Sequence, residues 1–390
     1  MVPLNIGILW PDNPSEWPGG TIYAENLLKS LAIAKPGQRV TVVVPQGGPQ
    51  PSMLEKVGAL DVEVVSYTPV TRKMPAVSLG LAYLNRKLGR ADRSLAATAR
   101  RAGIDVLFGD LASQVSFPVP WIGWIPDFQY RCHPEYFDEA EAAWLAARHQ
   151  DLCRRASIVL LSSKDALSNL RTYYPEAADK ARVLPFVSIM GDDLFAPEPA
   201  EVARRFQVEE PFVVVPNQWW LHKNHETAIR AAGLLRDRGV DCRWILTGAT
   251  NDPRRPEQAS RLLQLISELG LRDIVVPLGF LSRVDQVQLM RKAACIVQPS
   301  LFEGWSTVVE DAKTLGQRLV VSDIPIHREQ EPGSAIFFDP SSAQALADGV
   351  REMLDHPCPR QDEGRARELS DARAREVGEA FAAICNEATR

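Results

Sequence analysis

The sequence predicts an α/β protein built from two doubly wound halves in tandem, each a parallel sheet with helices on both faces. Short apolar runs of strand length alternate with longer stretches of helical periodicity, and this rhythm begins afresh after residues 183–186. A chain of 390 residues also exceeds what one hydrophobic core ordinarily organises. Ligands of such sheets sit beyond the carboxyl ends of the strands, so two facing halves would leave a cleft between them.

In the first half, residues 4–10 read as a buried strand, followed by a Pro- and Gly-rich loop over 11–20 and a helix over 21–34 carried by Ile22, Leu27, Leu28 and Leu31. Further strands are expected over 39–44, 61–65, 104–108, 121–124 and 157–161, with a helix over 139–155. Residues 192–210, rich in Pro, Ala and Glu, read as a linker with a short helix. The second half has strand patterns over 211–215, 243–247, 274–277, 295–297, 318–321 and 335–338. Helices fit between them over 224–238, 256–270, 283–293, 307–315 and 341–354. These patterns give an N-terminal domain over 1–205, a second domain over 206–360 and a helical tail over 361–390 that would pack back on the first.

Composition excludes several classes. A net charge of -5 argues against a chain-wide nucleic-acid binder. Six cysteines without C-x-x-C spacing suggest neither a disulfide framework nor a zinc site, and a reducing cytoplasm fits them. The N-terminus lacks a basic segment ahead of its short apolar run, so a signal peptide is not expected. No segment approaches the roughly 18 apolar residues of a membrane span. One stretch stands apart: from Arg72 to Arg101, eight basic residues meet a single acid, Asp92, and are interleaved with leucines. It reads as a solvated helix face or as a basic amphipathic surface for peripheral contact with an anionic membrane at its inner face.

Candidate site residues cluster at strand-to-helix turns. Gly19 and Gly20 precede the first helix, where a ligand could approach the backbone; they do not form the G-x-G-x-x-G dinucleotide fingerprint. Asp127, after the strand ending at Trp124, would be a positioned base or an Asx-turn cap. Gln218 and Lys223 follow the first strand of the second half; Lys223 stands where a helix begins, suited to a diphosphate, and Asn224 is a candidate cap. Trp219 and Trp220 could stack on a base or simply pack. His222 and His225 lack a third residue spaced to complete a metal site. Gly248 ends the next strand and would admit a ligand closely. From Glu303, the turn Gly304, Trp305, Ser306, Thr307 opens a helix carrying Glu310 and Asp311, placing free amides for phosphate beside carboxylates for hydroxyls.

These residues resemble the family-4 retaining glycosyltransferases of the GT-B fold, with two Rossmann-like domains. The signature glutamate corresponds to Glu303, and the second acid, eight positions on, falls on Asp311, where the family usually has glutamate. The resemblance implies that Glu303 contacts donor-sugar hydroxyls, Asp311 the ribose, and Gly304 through Thr307 the sugar and phosphate. Lys223 matches the family's diphosphate lysine, whereas Gln218 stands at the arginine position, leaving Arg283 and Arg328 as substitutes. Asp127 matches the acid of the family's first-domain active-site motif, with Pro126 replacing its histidine, and Glu329 falls in the loop after the signature helix.

The implied function is retaining, metal-independent transfer from a nucleotide sugar to a glycan or lipid-linked glycan hydroxyl in cell-surface polysaccharide assembly. No cofactor beyond the donor substrate is implied. No D-x-D motif is present, and Lys223 with helix termini would meet the leaving diphosphate's charge. The alternatives are a non-catalytic nucleotide-sugar- or glycan-binding subunit, favoured by the departures at Gln218 and Pro126, and a GT-B nucleotide-sugar epimerase.

Overall fold

The computed structural model describes residues 3–11, 18–35, 37–47, 62–68, 93–111, 117–196, 198–357 and 359–390. They form two compact units. The first comprises Met1–Arg131, Glu139–Val187 and Asp371–Arg390; the second comprises Cys132–Asp138 and Ser188–Ser370. The short segment Cys132–Asp138 thus belongs with the later part of the chain, which no local pattern signals.

The first unit holds β1 (Asn5–Leu9), α1 (Pro18–Ala34), β2 (Arg39–Pro45), β3 (Val62–Tyr67), α2 (Arg93–Arg101), β4 (Val106–Phe108) and β5 (Trp121–Ile125). A one-turn helix α3 (Gln129–Cys132) ends its first segment, and α4 (Glu139–Arg155), β6 (Ile158–Leu161), α5 (Lys164–Tyr173) and β7 (Ala181–Val183) follow. The strands form one parallel sheet in the order β3-β2-β1-β4-β5-β6-β7. Its centre explains why these runs read as apolar throughout: Ile6, Ile8, Val42, Leu107, Ile122 and Val159 are fully buried, as strands covered on both faces must be. Periodicity does not signal the helix over 164–173 or the strand over 181–183. The helix opens on polar Lys164 and Asp165 behind a Ser163 cap, and the three-residue strand carries Arg182, so neither shows a clean apolar period.

Two expectations change here. Helix α1 starts at Pro18, so Gly19 and Gly20 lie inside its first turn rather than in a loop before it. Proline tolerates the first helical position because that amide has no intrahelical acceptor, and the helix therefore begins earlier than periodicity suggested. Of the basic stretch, Arg72, Lys73, Arg86, Lys87 and Arg90 lie outside the described residues. Arg93, Arg100 and Arg101 are exposed on α2, but Leu95 and Ala99 on the same helix are buried, so this apolar face serves the core.

The second unit contains α6 (Pro199–Arg205), β8 (Phe212–Pro216), α7 (His225–Asp237), β9 (Arg243–Thr247), α8 (Gln258–Glu268), β10 (Val275–Gly279) and α9 (Arg283–Lys292). It continues with β11 (Cys295–Gln298), α10 (Thr307–Thr314), β12 (Leu319–Ser322), α11 (Pro325–Glu329), β13 (Ala335–Phe338) and α12 (Ala343–Asp355). Its parallel sheet runs β10-β9-β8-β11-β12-β13. Two apolar layers cover the sheet, one around Trp219, Trp244, Leu262 and Leu346 and the other around Val214, Ile245, Met290 and Val309. Connections leave β8 and β11 in opposite directions, which opens a crevice at their carboxyl ends. The last helix, α13 (Glu363–Ala388), contributes its later residues to the first unit, where Gly378 lies close against Ser30 of α1. A Cβ at Gly378 would come within 2.3 Å of the Ser30 carbonyl oxygen, so the close helix approach needs glycine.

Candidate functional site

The loops leaving β8 and β9 are joined along their backbones. The Trp219 amide donates to the Ala249 carbonyl at 2.9 Å, and the Gly248 amide donates to the Gly279 carbonyl at 2.8 Å. Gly248 has φ +104°, and a Cβ there would lie 2.2 Å from the Asn217 carbonyl oxygen. The close approach that Gly248 allows is therefore that of the chain's own Asn217, not the ligand approach expected from its position. Trp219 is fully buried in the core, so it packs and does not offer a face for stacking; Trp220 is half-buried.

Asn224 sits at φ 56°, a left-handed conformation that asparagine tolerates. Its side chain makes no cap hydrogen bond. It donates instead to the carbonyls of Pro299 at 3.0 Å and Pro340 at 2.9 Å, and accepts from the Thr227 hydroxyl at 2.8 Å. This ties the turn carrying Lys223 to the loop after β11.

Lys223 and Glu303 meet across that junction, with Nζ 2.7 Å from Oε1 and 2.9 Å from Oε2. The Glu303 side chain is only 7% exposed and that of Lys223 16%. Gln298, the fully buried last residue of β11, organises the carboxylate. Its Nε2 donates to Glu303 Oε1 at 2.8 Å and to the Ser300 and Ser306 hydroxyls at 3.1 Å, while its Oε1 accepts from Asn217 Nδ2 at 2.6 Å. The signal for Gln298 was present in the sequence: a polar residue closing an apolar strand run sits where the strand leaves the sheet.

Helix α10 opens with Ser306 as its cap, the hydroxyl accepting from the Val309 amide at 3.4 Å. Gln330 brackets the same residue, accepting from the Ser306 amide at 3.2 Å and donating to its carbonyl at 2.9 Å. No described residue takes the amides of Thr307 and Val308, so the helix start keeps the open donors that its sequence implied. Gly304, Trp305 and Thr307 are half-buried around it.

The two acids of α10 are both sequestered. Glu310 accepts from Gln330 Nε2 at 3.1 Å and pairs with Lys313 at 3.4 Å. Asp311 receives Arg283 as a two-pronged pair at 2.5 and 2.6 Å, together with the Ser188 hydroxyl at 2.5 Å. The Arg283 charge is thereby committed to Asp311. Arg328 likewise grips Asp323 at 2.7 and 2.8 Å, and its guanidinium lies over Phe337. Neither arginine stands open as the replacement expected for Gln218, which is itself half-buried.

Asp127 follows β5 in the first unit, half-buried, where its carboxylate accepts from the Gln129 amide at 2.8 Å and turns the chain into α3. Gly19 and Gly20 also lie in the first unit; the other candidates lie in the second. Glu329 ends α11 and is half-buried. One helix position away from the residues singled out in sequence, His327 is fully buried. Burial lowers its pKa first of all; the Glu303 carboxylate opposes that shift and Lys223 reinforces it, so His327 lies within electrostatic reach of the pair.

Among the described residues no group of three His, Cys, Asp or Glu is arranged to hold a metal. His225 is fully buried, and loss of hydration pushes its pKa down to about 3; His149 in the first unit is pushed to about 3 for the same reason. Both pKa values fall on folding, so each histidine contributes stability that is complete above about pH 6.5 and is lost as pH falls toward 3. Each should tilt the stability profile by up to about 1.4 kcal/mol per pH unit within that window. Urea midpoints measured from pH 7 to pH 4 should therefore decline, and His225→Phe should flatten the decline.

Residues 200–370 match the family model described as Glycosyl transferases group 1. Over 225 residues the chain is 29% identical to the alpha-D-kanosaminyltransferase of Streptomyces kanamyceticus, covering 55% of each protein. It is also similar to the O-antigen chain mannosyltransferase RfbU of Salmonella typhimurium, 25% identical over 149 residues, 38% of this chain and 40% of that protein. The chain spans 55% or less of the length of the curated relatives it matches. The fold of sucrose-phosphate synthase from Thermosynechococcus elongatus superposes with a TM-score of 0.66 at 19% identity, over 98% of this chain and 97% of that one. No described helix is long and apolar enough to cross a membrane. Residues 200–370 thus carry the glycosyl transferases group 1 match, on a chain with the GT-B fold.

Proposed function

We propose that the protein is a glycosyltransferase that moves a sugar from a nucleotide-sugar donor to an acceptor hydroxyl with retention of configuration and without a metal. The observation that carries this reading is the Lys223–Glu303 pair at the β8/β11 crevice, beside the open amides that head α10. An ammonium and helix amides suit a diphosphate, and a carboxylate beside them suits sugar hydroxyls. The two charges satisfy each other. Donor binding would exchange this pairing for phosphate on Lys223 and hydroxyls on Glu303, so neither charge is left uncompensated.

Asp311 stands at the ribose position by spacing. A carboxylate has about four acceptor sites, and Arg283 and Ser188 fill two on Oδ1 and one on Oδ2. One site on Oδ2 remains, enough for a single ribose hydroxyl. The acceptor hydroxyl would attack on the face the diphosphate leaves, passing its proton to a leaving phosphate oxygen; Asp127 is a further candidate active-site residue. Gln218 and Gly304 through Thr307 would line the donor. Gly248 would act by holding the Asn217–Gln218 backbone, and Gly19 and Gly20 would serve the acceptor from the first turn of α1. Similarity to an O-antigen chain mannosyltransferase supports a glycan or lipid-linked glycan acceptor in cell-surface polysaccharide assembly, met from the cytoplasmic side.

A thermal-shift screen over UDP-, GDP- and ADP-sugars tests the reading, because a donor at 100 times its Kd should add about 2.7 kcal/mol of stability. The stabilising donor should be slowly hydrolysed without acceptor, in buffer containing EDTA, and the sugar should be released with its anomeric configuration unchanged. Binding without turnover would instead indicate a nucleotide-sugar-binding subunit. A requirement for added metal would overturn the metal-independent mechanism.

A further inference from the structure

We propose that His327 binds the donor's sugar: its Nε2, a buried atom with no hydrogen-bond partner among the described residues, accepts from a sugar hydroxyl beside Glu303. The proposal rests on the donor-binding reading above and adds to it a second acceptor for the sugar.

The tautomer follows from the partners of the other ring nitrogen. Nδ1 lies 2.9 Å from the Ser322 carbonyl oxygen, which can only accept, and 3.1 Å from the Ser322 hydroxyl. That hydroxyl gives its own proton to the Ser300 carbonyl at 2.6 Å, so toward Nδ1 it too can only accept. Nδ1 therefore carries the ring proton, and Nε2 of the neutral imidazole keeps a lone pair. Burial, the largest influence on the ring, lowers its pKa and holds it in this neutral form. A buried acceptor left without a donor is costly and uncommon. The tautomer also selects the partner: an ionised phosphate has no proton to give, whereas a hydroxyl has one.

The ring is placed from two sides. His327 sits on α11, which follows β12, the neighbour of β11 in the sheet. Ahead of the helix, Ser322 is joined to Ser300; just after it, Gln330 brackets Ser306, accepting from its amide at 3.2 Å and donating to its carbonyl at 2.9 Å. Glu303 is the middle residue of the stretch 300–306 that these ties hold to α11 and its flanks. The charge environment agrees, because after burial the Glu303 carboxylate is the next influence on the ring, with Lys223 opposing it. Glu303 is the sugar's acid and Asp311 the ribose's acid in the reading above, so a ligand atom at His327 belongs to the sugar. Donor binding exchanges the Lys223–Glu303 pairing for phosphate and hydroxyls, and the same rearrangement admits a hydroxyl to Nε2.

The test uses the full-length protein with UDP-glucose, GDP-mannose, ADP-glucose and the matching nucleoside diphosphates, with affinities measured by calorimetry in the absence of acceptor. For the tightest-binding pair, His327→Asn, whose amide reaches Ser322 but not the Nε2 position, should weaken the nucleotide sugar by about five- to tenfold and leave the nucleoside diphosphate within about twofold of wild type. His327→Phe, which keeps the ring's bulk without an acceptor, should show the same selective loss and guards against a His327→Asn protein that does not fold. His327→Gln, whose amide oxygen can occupy the Nε2 position, should bind the nucleotide sugar within about threefold of wild type. Three results overturn the proposal: wild-type affinity in the asparagine and phenylalanine variants, equal losses for the nucleotide sugar and the diphosphate, which would make His327 a packing residue, or a selective loss that His327→Gln shares. A wild-type protein that binds none of these ligands rejects the donor-binding reading itself, an outcome separate from the three.

Discussion

Replacing Glu303 with alanine is expected to reduce sugar transfer by about a hundredfold or more. A charge-assisted hydrogen bond contributes about 1.5 to 3 kcal/mol, and loss of two to the donor sugar corresponds to roughly two to four orders of magnitude in rate. The same change should cost stability, because it strips a 16%-exposed lysine of its partner. Breaking a buried pair from one side costs about 3 to 5 kcal/mol, and the partial hydration open to Lys223 puts this case near the lower figure. Lys223→Ala should be worse for the fold, since it strands the more deeply buried carboxylate. The double variant should be less destabilised than the sum of the singles, yet remain inactive. Urea midpoints and kcat/KM for the four proteins separate the two effects, and Glu303→Gln, which preserves side-chain size, guards against simple misfolding. Wild-type turnover in Glu303→Gln and Glu303→Ala would remove Glu303 from the reaction.

Breaking the Arg283–Asp311 pair should show a second asymmetry. The Asp311 side chain is 3% exposed and that of Arg283 36%. Arg283→Ala leaves a carboxylate that can reach water poorly and retains only the Ser188 hydroxyl, so a loss of about 3 to 5 kcal/mol is expected. Asp311→Ala leaves an arginine that can turn to solvent, so the stability loss should be about 1 to 3 kcal/mol, of the size for a lost charged hydrogen-bond network. Function should rank the other way if Asp311 holds the ribose: Asp311→Ala should raise the donor KM more than Arg283→Ala does. Equal donor KM values in the two variants would assign Asp311 a purely structural part.

Much of this was legible because long stretches of the chain follow local rules. The strands over 243–247 and 335–338 and the helix over 139–155 coincide with β9, β13 and α4. Their periods are set by burial on one or both faces, which sequence reports directly. The Glu303 turn and the α10 start were visible for the same reason, since an apolar strand, a glycine turn and a serine cap occur within about a dozen residues. Elements whose stability comes from neighbours were less visible. Strand β7 has three residues and an arginine, and it exists because β6 offers it a paired edge.

By itself, the sequence determined the two parallel sheets, the placement of Glu303 and Lys223 at strand ends, and the departure at Gln218. The tertiary structure decided which charges are already matched. It pairs Lys223 with Glu303 and Arg283 with Asp311, gives Gln298 the task of orienting the carboxylate, and brings Cys132–Asp138 into the second unit. The reason is physical. Periodicity encodes which side of an element is buried, whereas the partner of a buried charge is set by residues 28 to 80 positions away, as for Arg283 with Asp311 and Lys223 with Glu303.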